Sequence, residues 1–153
     1  MAHEIRILRT PRTDLAVVRI RSSIQRIPEV MGPAFEDVAA YLGPRGLLGT
    51  GPAIAVYSDM DADGVTVAAG FTVAQPVEGD GHVVPLVLPE SEVITTTHVG
   101  PYETLSQEYG ALEQAAAARG RSLGPLMWEE YWSPPDTPPE ETRTVICWPL
   151  SAD

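Results

Sequence analysis

Short stretches in which apolar and polar residues alternate recur along the whole chain, and they predict a sheet of short strands. Alternation with β-branched residues is typical of strands that bury one face. Gly, Pro and Asp residues, which favour turns, separate the stretches. The predicted strands cover residues 4–8, 15–22, 53–59, 65–73, 82–89, 92–99, 126–132 and 142–150.

Two segments instead show helical spacing of their apolar residues. In residues 29–42 the apolar side chains recur at positions i, i+3, i+4 and i+7, which places them on one helical face: Phe35, Val38, Ala39 and Leu42. Pro33 is expected at the start of this helix or at a kink in it. A second helix is predicted from Gly100-Pro101 to Arg119-Gly120, with an apolar stripe of Tyr102, Leu105, Tyr109, Leu112 and Ala116.

The order of predicted elements repeats, which indicates an internal duplication. Each half contains a strand, a helix and two strands, with one further strand near its start, and the halves cover about residues 1–78 and 79–153. Gly51-Pro52 and Gly124-Pro125 each precede a strand at matching points. We therefore expect one α+β domain over residues 1–153. Its curved antiparallel sheet would carry both helices on one side and leave a ligand cleft on the other.

Composition narrows the classes of partner. The 153 residues include 21 Asp and Glu but only 10 basic residues, all of them arginine, so the net charge is −11. Such a surface disfavours nucleic acid and anionic membranes, and it is compatible with cationic small molecules. The single Cys147 excludes an internal disulfide, and the three histidines lack the spacing of metal ligands. We expect a soluble, cytoplasmic protein without a metal or cofactor.

Glu129 is the most informative residue of the sequence. Residues 127–132 read Met-Trp-Glu-Glu-Tyr-Trp, and alternation in a strand puts Glu129 and Glu130 on opposite faces. If this strand is central, one of the two carboxylates points inward among aromatic residues. Burial would raise the pKa of that carboxyl, and an organic cation would stabilise its ionised form. The alternative is an exposed glutamate on an edge strand, merely flanked by core aromatics.

Several motifs together resemble the GyrI-like small-molecule-binding domain, which is also the effector-binding domain of many AraC- and MerR-type transcription regulators. In the second half these motifs are THVGPYETL at 97–105 and GPLMWEEYWSPPDTPPEETRTVICWPL at 124–150. In the first half, GPAIAVYSD at 51–59 and GFTVAQPV at 70–77 match more loosely. One departure is the doubled glutamate, since the family usually has an apolar residue after the first. Which carboxylate faces the cleft therefore stays open.

The resemblance implies a duplicated α+β fold whose cleft binds diverse, often cationic and aromatic, compounds. It assigns the central glutamate of that cleft to Glu129 and the aromatic residue at the helix start to Tyr102. It also places Tyr57, at the end of the Gly-Pro strand, on the cleft wall. Four further aromatic residues are candidates for ligand binding: Phe71, Tyr131, Trp148 and Trp128.

Three functions are compatible with these features. The first is a stand-alone multidrug-binding protein for lipophilic, aromatic, often cationic compounds, acting in drug sequestration or as a transcription effector, without an attached DNA-binding unit. The second is a hydrolase in which Glu129, Tyr57 and Tyr102 open cyclopropane-bearing genotoxins, since Trp128-Glu129 resembles a hydrolytic subset of the family. The third is direct inhibition of a topoisomerase through the acidic surface. The natural ligand and any protein partner are unknown from the sequence.

Overall fold

The fold is described from a computed structural model for residues 4–49, 51–133 and 136–151. Within these residues the chain forms eight β-strands and two α-helices, together with short 3-10 turns. In chain order they are β1 (Arg6–Thr10), β2 (Thr13–Ser22), α1 (Ile27–Leu42), β3 (Ala53–Asp61), β4 (Gly64–Val73), β5 (Val84–Leu88), β6 (Ser91–Val99), α2 (Ser106–Ala118), β7 (Met127–Tyr131) and β8 (Arg143–Pro149).

All described strands join one antiparallel sheet in the order β1-β6-β8-β7-β3-β4-β2-β5. The strands β7 and β3 form its centre, and their pairing joins the two halves of the chain. The first strand of each half is exchanged: β1 pairs with β6 of the second half, and β5 pairs with β2 of the first. The topology is compatible with the predicted duplication, which stays a prediction.

Both helices pack on the same face of the sheet. Pro28 lies in the first turn of α1, where its missing N–H costs nothing, and Pro33 lies inside the helix rather than at its start. The helix α1 covers β2 and β4, and α2 covers β6 and β8. Because antiparallel partners point to the same side, the register across Ala69, Ala55, Glu129 and Ile146 shows that these two cores share one face. We call it the helix face.

The opposite face is concave and filled by side chains. One apolar cluster there contains residues from both ends of the sheet, so the sheet curls around it: Leu15, Val17, Ile54, Val56, Ala68, Leu88, Val93, Trp128 and Cys147. A close-packed cluster of this kind leaves little room for a ligand where it lies. Between this cluster and the edge of the sheet at β1, the same face stays open in a groove that Arg6, Thr95, Glu130 and Arg143 help to line.

The expected α+β fold is confirmed, with a curled antiparallel sheet and two helices. The predicted strands agree with the observed ones to within a few residues. The second predicted helix begins differently, because a 3-10 turn at Tyr102–Thr104 precedes α2. None of the described helices has the length and apolar character that crossing a lipid bilayer requires.

Gly70 tests how closely the neighbouring strands β4 and β2 pack. A methyl group on Gly70 of β4 would overlap the Ala16 carbonyl of β2, which is backbone and therefore unable to move aside. We expect Gly70→Ala to lower the free energy of unfolding by about 3 kcal/mol or more. Gly110→Ala in α2 is the control, since it meets no atom within 4 Å and should be neutral or stabilising. Urea unfolding of both variants measures the contrast, and equal stabilities would contradict this packing.

Candidate ligand-binding site

The strand β7 carries Glu129 to the centre of the helix face. Its backbone neighbours are Ala55 on β3, which belongs to the core under α1, and Ile146 on β8, which belongs to the core under α2. The residue is 3% exposed. Glu129 thus lies between the two helices on a central strand, and the alternative of an exposed glutamate on an edge strand is excluded.

Two tyrosine hydroxyls approach the same carboxylate oxygen. The Tyr131 hydroxyl donates to Oε1 of Glu129 at 2.5 Å, and the Tyr57 hydroxyl lies 3.5 Å from that oxygen. The two hydroxyl oxygens are 3.3 Å apart. On its other side the Tyr57 hydroxyl lies 3.4 Å from the sulfur of Met31 in α1. The polar centre of the site is therefore a carboxylate flanked by two phenol groups and roofed by α1.

Burial dominates the titration of this group. It raises the pKa of Glu129 to about 7, while the hydrogen bonds from Tyr131 and Tyr57 and the charge of His98 act in the opposite direction. Burial, followed by the negative charge of Glu129, raises the pKa of Tyr57 and of Tyr131. Both phenols consequently stay protonated and act as donors near neutral pH, whereas Glu129 exchanges between its neutral and ionised forms.

Aromatic rings extend from this centre towards solvent. The Tyr131 ring makes edge-to-face contacts with Phe35 of α1 and with Tyr102, each at 6.0 Å between ring centroids. Phe35 in turn contacts Phe71 edge-to-face, also at 6.0 Å. Tyr102 is 55% exposed, and burial of the rest of its ring and the charge of Glu129 raise its pKa. The rings form a wall that leads from solvent at Tyr102 to the buried carboxylate.

The structure therefore brings together five of the residues singled out from sequence, and it does so on the helix face rather than on the face without helices. These residues are Glu129, Tyr57, Tyr102, Phe71 and Tyr131. The physical reason is the register of the central strands. Ala55 pairs with Glu129, and Tyr57 and Tyr131 lie two residues further along β3 and β7, so their side chains point to the same face.

Two tryptophans predicted to bind ligand lie elsewhere. Trp128 is 4% exposed in the concave core, so strand alternation places it on the opposite side of β7 from Glu129. Trp148 is on the helix face, but it lies under α2, where its Nε1 donates to the Gly124 carbonyl at 2.9 Å and its ring meets Tyr109 edge-on at 6.3 Å. Neither ring joins the tyrosine cluster.

The two adjacent glutamates have different surroundings. Glu130 points to the concave face and accepts hydrogen bonds from the indole N–H groups of Trp128 at 3.1 Å and Trp132 at 3.0 Å. It is thus held as a hydrogen-bond acceptor by two tryptophans, whereas Glu129 faces the tyrosines. The structure resolves which carboxylate of the pair lies among the candidate binding residues.

Sequence reasoning missed the contribution of α1 to this site. Met31 and Phe35 are four residues apart and so share a face of the helix. Phe35 belongs to the apolar stripe that the sequence places on one face of the helix, but it is not among the predicted ligand-binding residues. Helical spacing shows which side chains face the sheet, but it does not distinguish those that cover a strand from those that border a gap between helices.

The buried carboxyl predicts a pH-dependent contribution to stability. The folded state binds the Glu129 proton more tightly than the unfolded chain, because the pKa rises from 4.5 to about 7 on folding. Stability from this group is therefore complete below pH 4.5 and is lost as the pH rises through 7. From pH 5 to pH 8 we expect wild type to lose about 3 kcal/mol relative to Glu129→Gln. Urea unfolding at each pH measures this difference, and a constant difference would contradict the raised pKa.

Similar structures share this fold. The C-terminal domain of EcmrR has a TM-score of 0.81 at 21% identity, covering 99% of this chain and 99% of that one. The structure of SAV2435 bound to tetraphenylphosphonium has a TM-score of 0.71 at 10% identity, covering 97% and 94%. A hydrolase encoded by lin2189 from Listeria innocua has a TM-score of 0.65 at 16% identity, covering 97% and 92%. At these identities the likeness demonstrates a common fold.

Sequence comparison identifies the family. No curated protein sequence matches this chain. Residues 3–151, however, match the GyrI-like small molecule binding domain, which accounts for nearly the whole chain and agrees with the motifs around Tyr102 and Glu129. The chain belongs to the GyrI-like small-molecule-binding family.

Proposed function

We propose that this protein binds lipophilic aromatic compounds, preferentially cations, in the gap between α1 and α2. The observation that carries the proposal is the buried carboxylate of Glu129, whose hydrogen-bond donors are two neutral phenols. A buried carboxylate that lacks a bound cation favours its neutral form, and its pKa is raised accordingly. An organic cation in the gap would supply the missing positive charge.

The aromatic wall favours cations with delocalised or shielded charge. Ring faces attract a cation by roughly 0.5–2 kcal/mol each, depending on desolvation. The Tyr131 ring contacts both Phe35 and Tyr102, so a bulky aromatic ligand beside Tyr131 would meet more than one ring. The complex of the structurally similar SAV2435 with tetraphenylphosphonium, a lipophilic aromatic cation, supports this ligand class.

A pair of variants separates charge recognition from simple apolar binding. Glu129→Gln keeps an amide oxygen for the Tyr131 hydroxyl but removes the charge. We expect it to weaken binding of tetraphenylphosphonium by about 2–5 kcal/mol and to leave neutral triphenylphosphine oxide nearly unaffected. Glu130→Gln is the matched control, because this carboxylate lies on the opposite face of β7. Isothermal titration calorimetry provides the affinities.

Two outcomes would contradict the proposal. If Glu129→Gln weakened binding of the cation and of the neutral ligand equally, the charge of Glu129 would have no part in recognition. Binding of the isosteric anion tetraphenylborate as tightly as tetraphenylphosphonium by wild type would show that shape alone governs recognition.

A second candidate function is hydrolytic opening of an electrophilic small ring. It is favoured by the raised pKa of Glu129 at about 7, which suits a general base or acid, and by the adjacent Tyr57 hydroxyl. In this reaction Glu129 removes a proton from water, whose oxygen attacks a ring carbon of a cyclopropane. The broken carbon–carbon bond delivers its electron pair to a conjugated carbonyl oxygen, which Tyr57 or Tyr102 stabilises. This oxyanion then takes up the proton that Glu129 removed from water, so the product has gained one whole water and Glu129 is regenerated. The similar hydrolase structure from Listeria innocua supports this reaction class.

Mass analysis distinguishes the hydrolase from the binding protein. Incubation with a cyclopropane-fused dienone should yield a product heavier by one water, and Glu129→Gln should slow its formation by about 10²-fold or more. Glu130→Gln should retain the rate of wild type. A compound that binds but is recovered unchanged would exclude hydrolysis of that substrate and leave the binding function.

A further inference from the structure

A buried histidine on the helix face, near the Glu129 site, contacts the segment that carries Tyr102. His98, near the end of β6, is 4% exposed, and Glu108 in the first turn of α2 is 6% exposed. The Nδ1 atom of His98 lies 2.7 Å from the Glu108 carboxylate. Because both side chains are buried, solvent screens this contact far less than it would screen a contact between exposed charged groups. The imidazole is thereby fixed between the sheet and α2.

The other side of the same ring meets the turn between β6 and α2. Its Nε2 atom lies 3.0 Å from the Thr104 hydroxyl and 3.1 Å from the Pro101 carbonyl. The Thr104 hydroxyl also donates to the Pro101 carbonyl at 2.9 Å. When Nε2 carries a hydrogen, it can donate to the Pro101 carbonyl or to the Thr104 hydroxyl. Each of these three polar groups then has a hydrogen-bond partner. The histidine thus joins β6, α2 and the turn through both of its nitrogens.

Tyr102 lies inside the turn that this network closes. The turn begins at Gly100, whose N–H donates to the Thr142 carbonyl at 2.8 Å and whose φ is +141°. Pro101 and Thr104, which both contact Nε2 of His98, bracket Tyr102 in sequence. Although 55% exposed, the Tyr102 ring keeps an edge-to-face contact with Tyr131, which bonds Glu129. An exposed ring alone gains little from that single contact, so its placement depends on the turn.

We propose that His98 is a positioning residue that acts through Thr104 to hold Tyr102 at the mouth of the cleft. The expected effect on affinity rests on the proposed binding function. The ordering of Tyr102 in the free protein is a separate claim, which can be tested without a ligand. His98 does not touch the ligand in this scheme. It contributes to binding because the Tyr102 ring is already ordered in the free protein. Less side-chain entropy is then lost when a ligand binds, as expected for a preorganised site.

The test changes Thr104, because removal of a buried histidine could disrupt the fold. Thr104→Val removes the hydroxyl with little change in shape, and Thr104→Ser retains it. The protein contains five tyrosines, so 3-fluorotyrosine labelling gives a tractable 19F NMR spectrum, and Tyr102→Leu identifies the Tyr102 signal. Without ligand, we expect Thr104→Val to shift and broaden that signal and Thr104→Ser to preserve it. An unchanged Tyr102 signal in Thr104→Val would overturn the proposal.

Binding of tetraphenylphosphonium supplies the second measurement. We expect Thr104→Val to raise the dissociation constant roughly 3- to 10-fold, within the range of one aromatic–cation contact. In a Tyr102→Leu background the same substitution should add no further loss, since the ring that it positions is absent. A loss of equal size in both backgrounds would show a general structural effect and overturn the positioning role.

The two proposals fail in different ways. If wild type does not bind tetraphenylphosphonium or related aromatic cations, the proposed function is contradicted, while the 19F spectra still decide whether Thr104 orders Tyr102. If wild type binds but the Tyr102 signal ignores the loss of the Thr104 hydroxyl, the binding function stands and the role of His98 is refuted.

Discussion

The candidate site depends on the burial of one carboxylate, that of Glu129, on the helix face between α1 and α2. Taking the Glu129 carboxyl out of water at the centre of the sheet raises its pKa, and two phenol hydroxyls only partly offset that penalty. The aromatic rings around it add no formal charge of their own. Glu129 therefore exchanges between its neutral and ionised forms near neutral pH. The proposed preference for aromatic cations rests on this property, because a bound cation would favour the ionised form.

The pseudo-symmetric sheet explains how such a site can exist on a small domain. The strands β3 and β7 meet at the centre, and each half contributes one helix beside that seam. The helix α1 reaches over this seam, where Met31 contacts Tyr57 of β3 and Phe35 contacts Tyr131 of β7. The concave face carries a further apolar cluster, because the curl of the sheet brings side chains from both ends together. The helix face holds the cores under α1 and α2 and, between them, the polar centre at Glu129.

Local patterns in the sequence account for most of the fold and for part of the site. Alternation and helical spacing predicted the strands and helices, and alternation alone separated Glu129 from Glu130. The central position of β7 and the side of the cleft could not be derived in this way, because they depend on pairing between strands far apart in sequence. The same limit explains Trp128, whose neighbours along the chain suggested the site although its face of the strand belongs to the core. Met31 and Phe35 were missed for a related reason. An apolar stripe shows which side chains of a helix face the sheet, but it does not show which of them lie beside a polar site.

The exchange of outer strands has a consequence for how the chain acquires its structure. The strand β1 is synthesised before its partner β6, which follows more than 80 residues later, as the pairing of Arg6 with Thr95 shows. Until then β1 presents unpaired backbone groups, which in a growing chain invite wrong partners. Its exposed arginines, Arg6 and Arg9, provide the like charges that keep one such nascent chain from pairing with another. The exchange of outer strands thus delays the pairing of β1 until β6 has been synthesised.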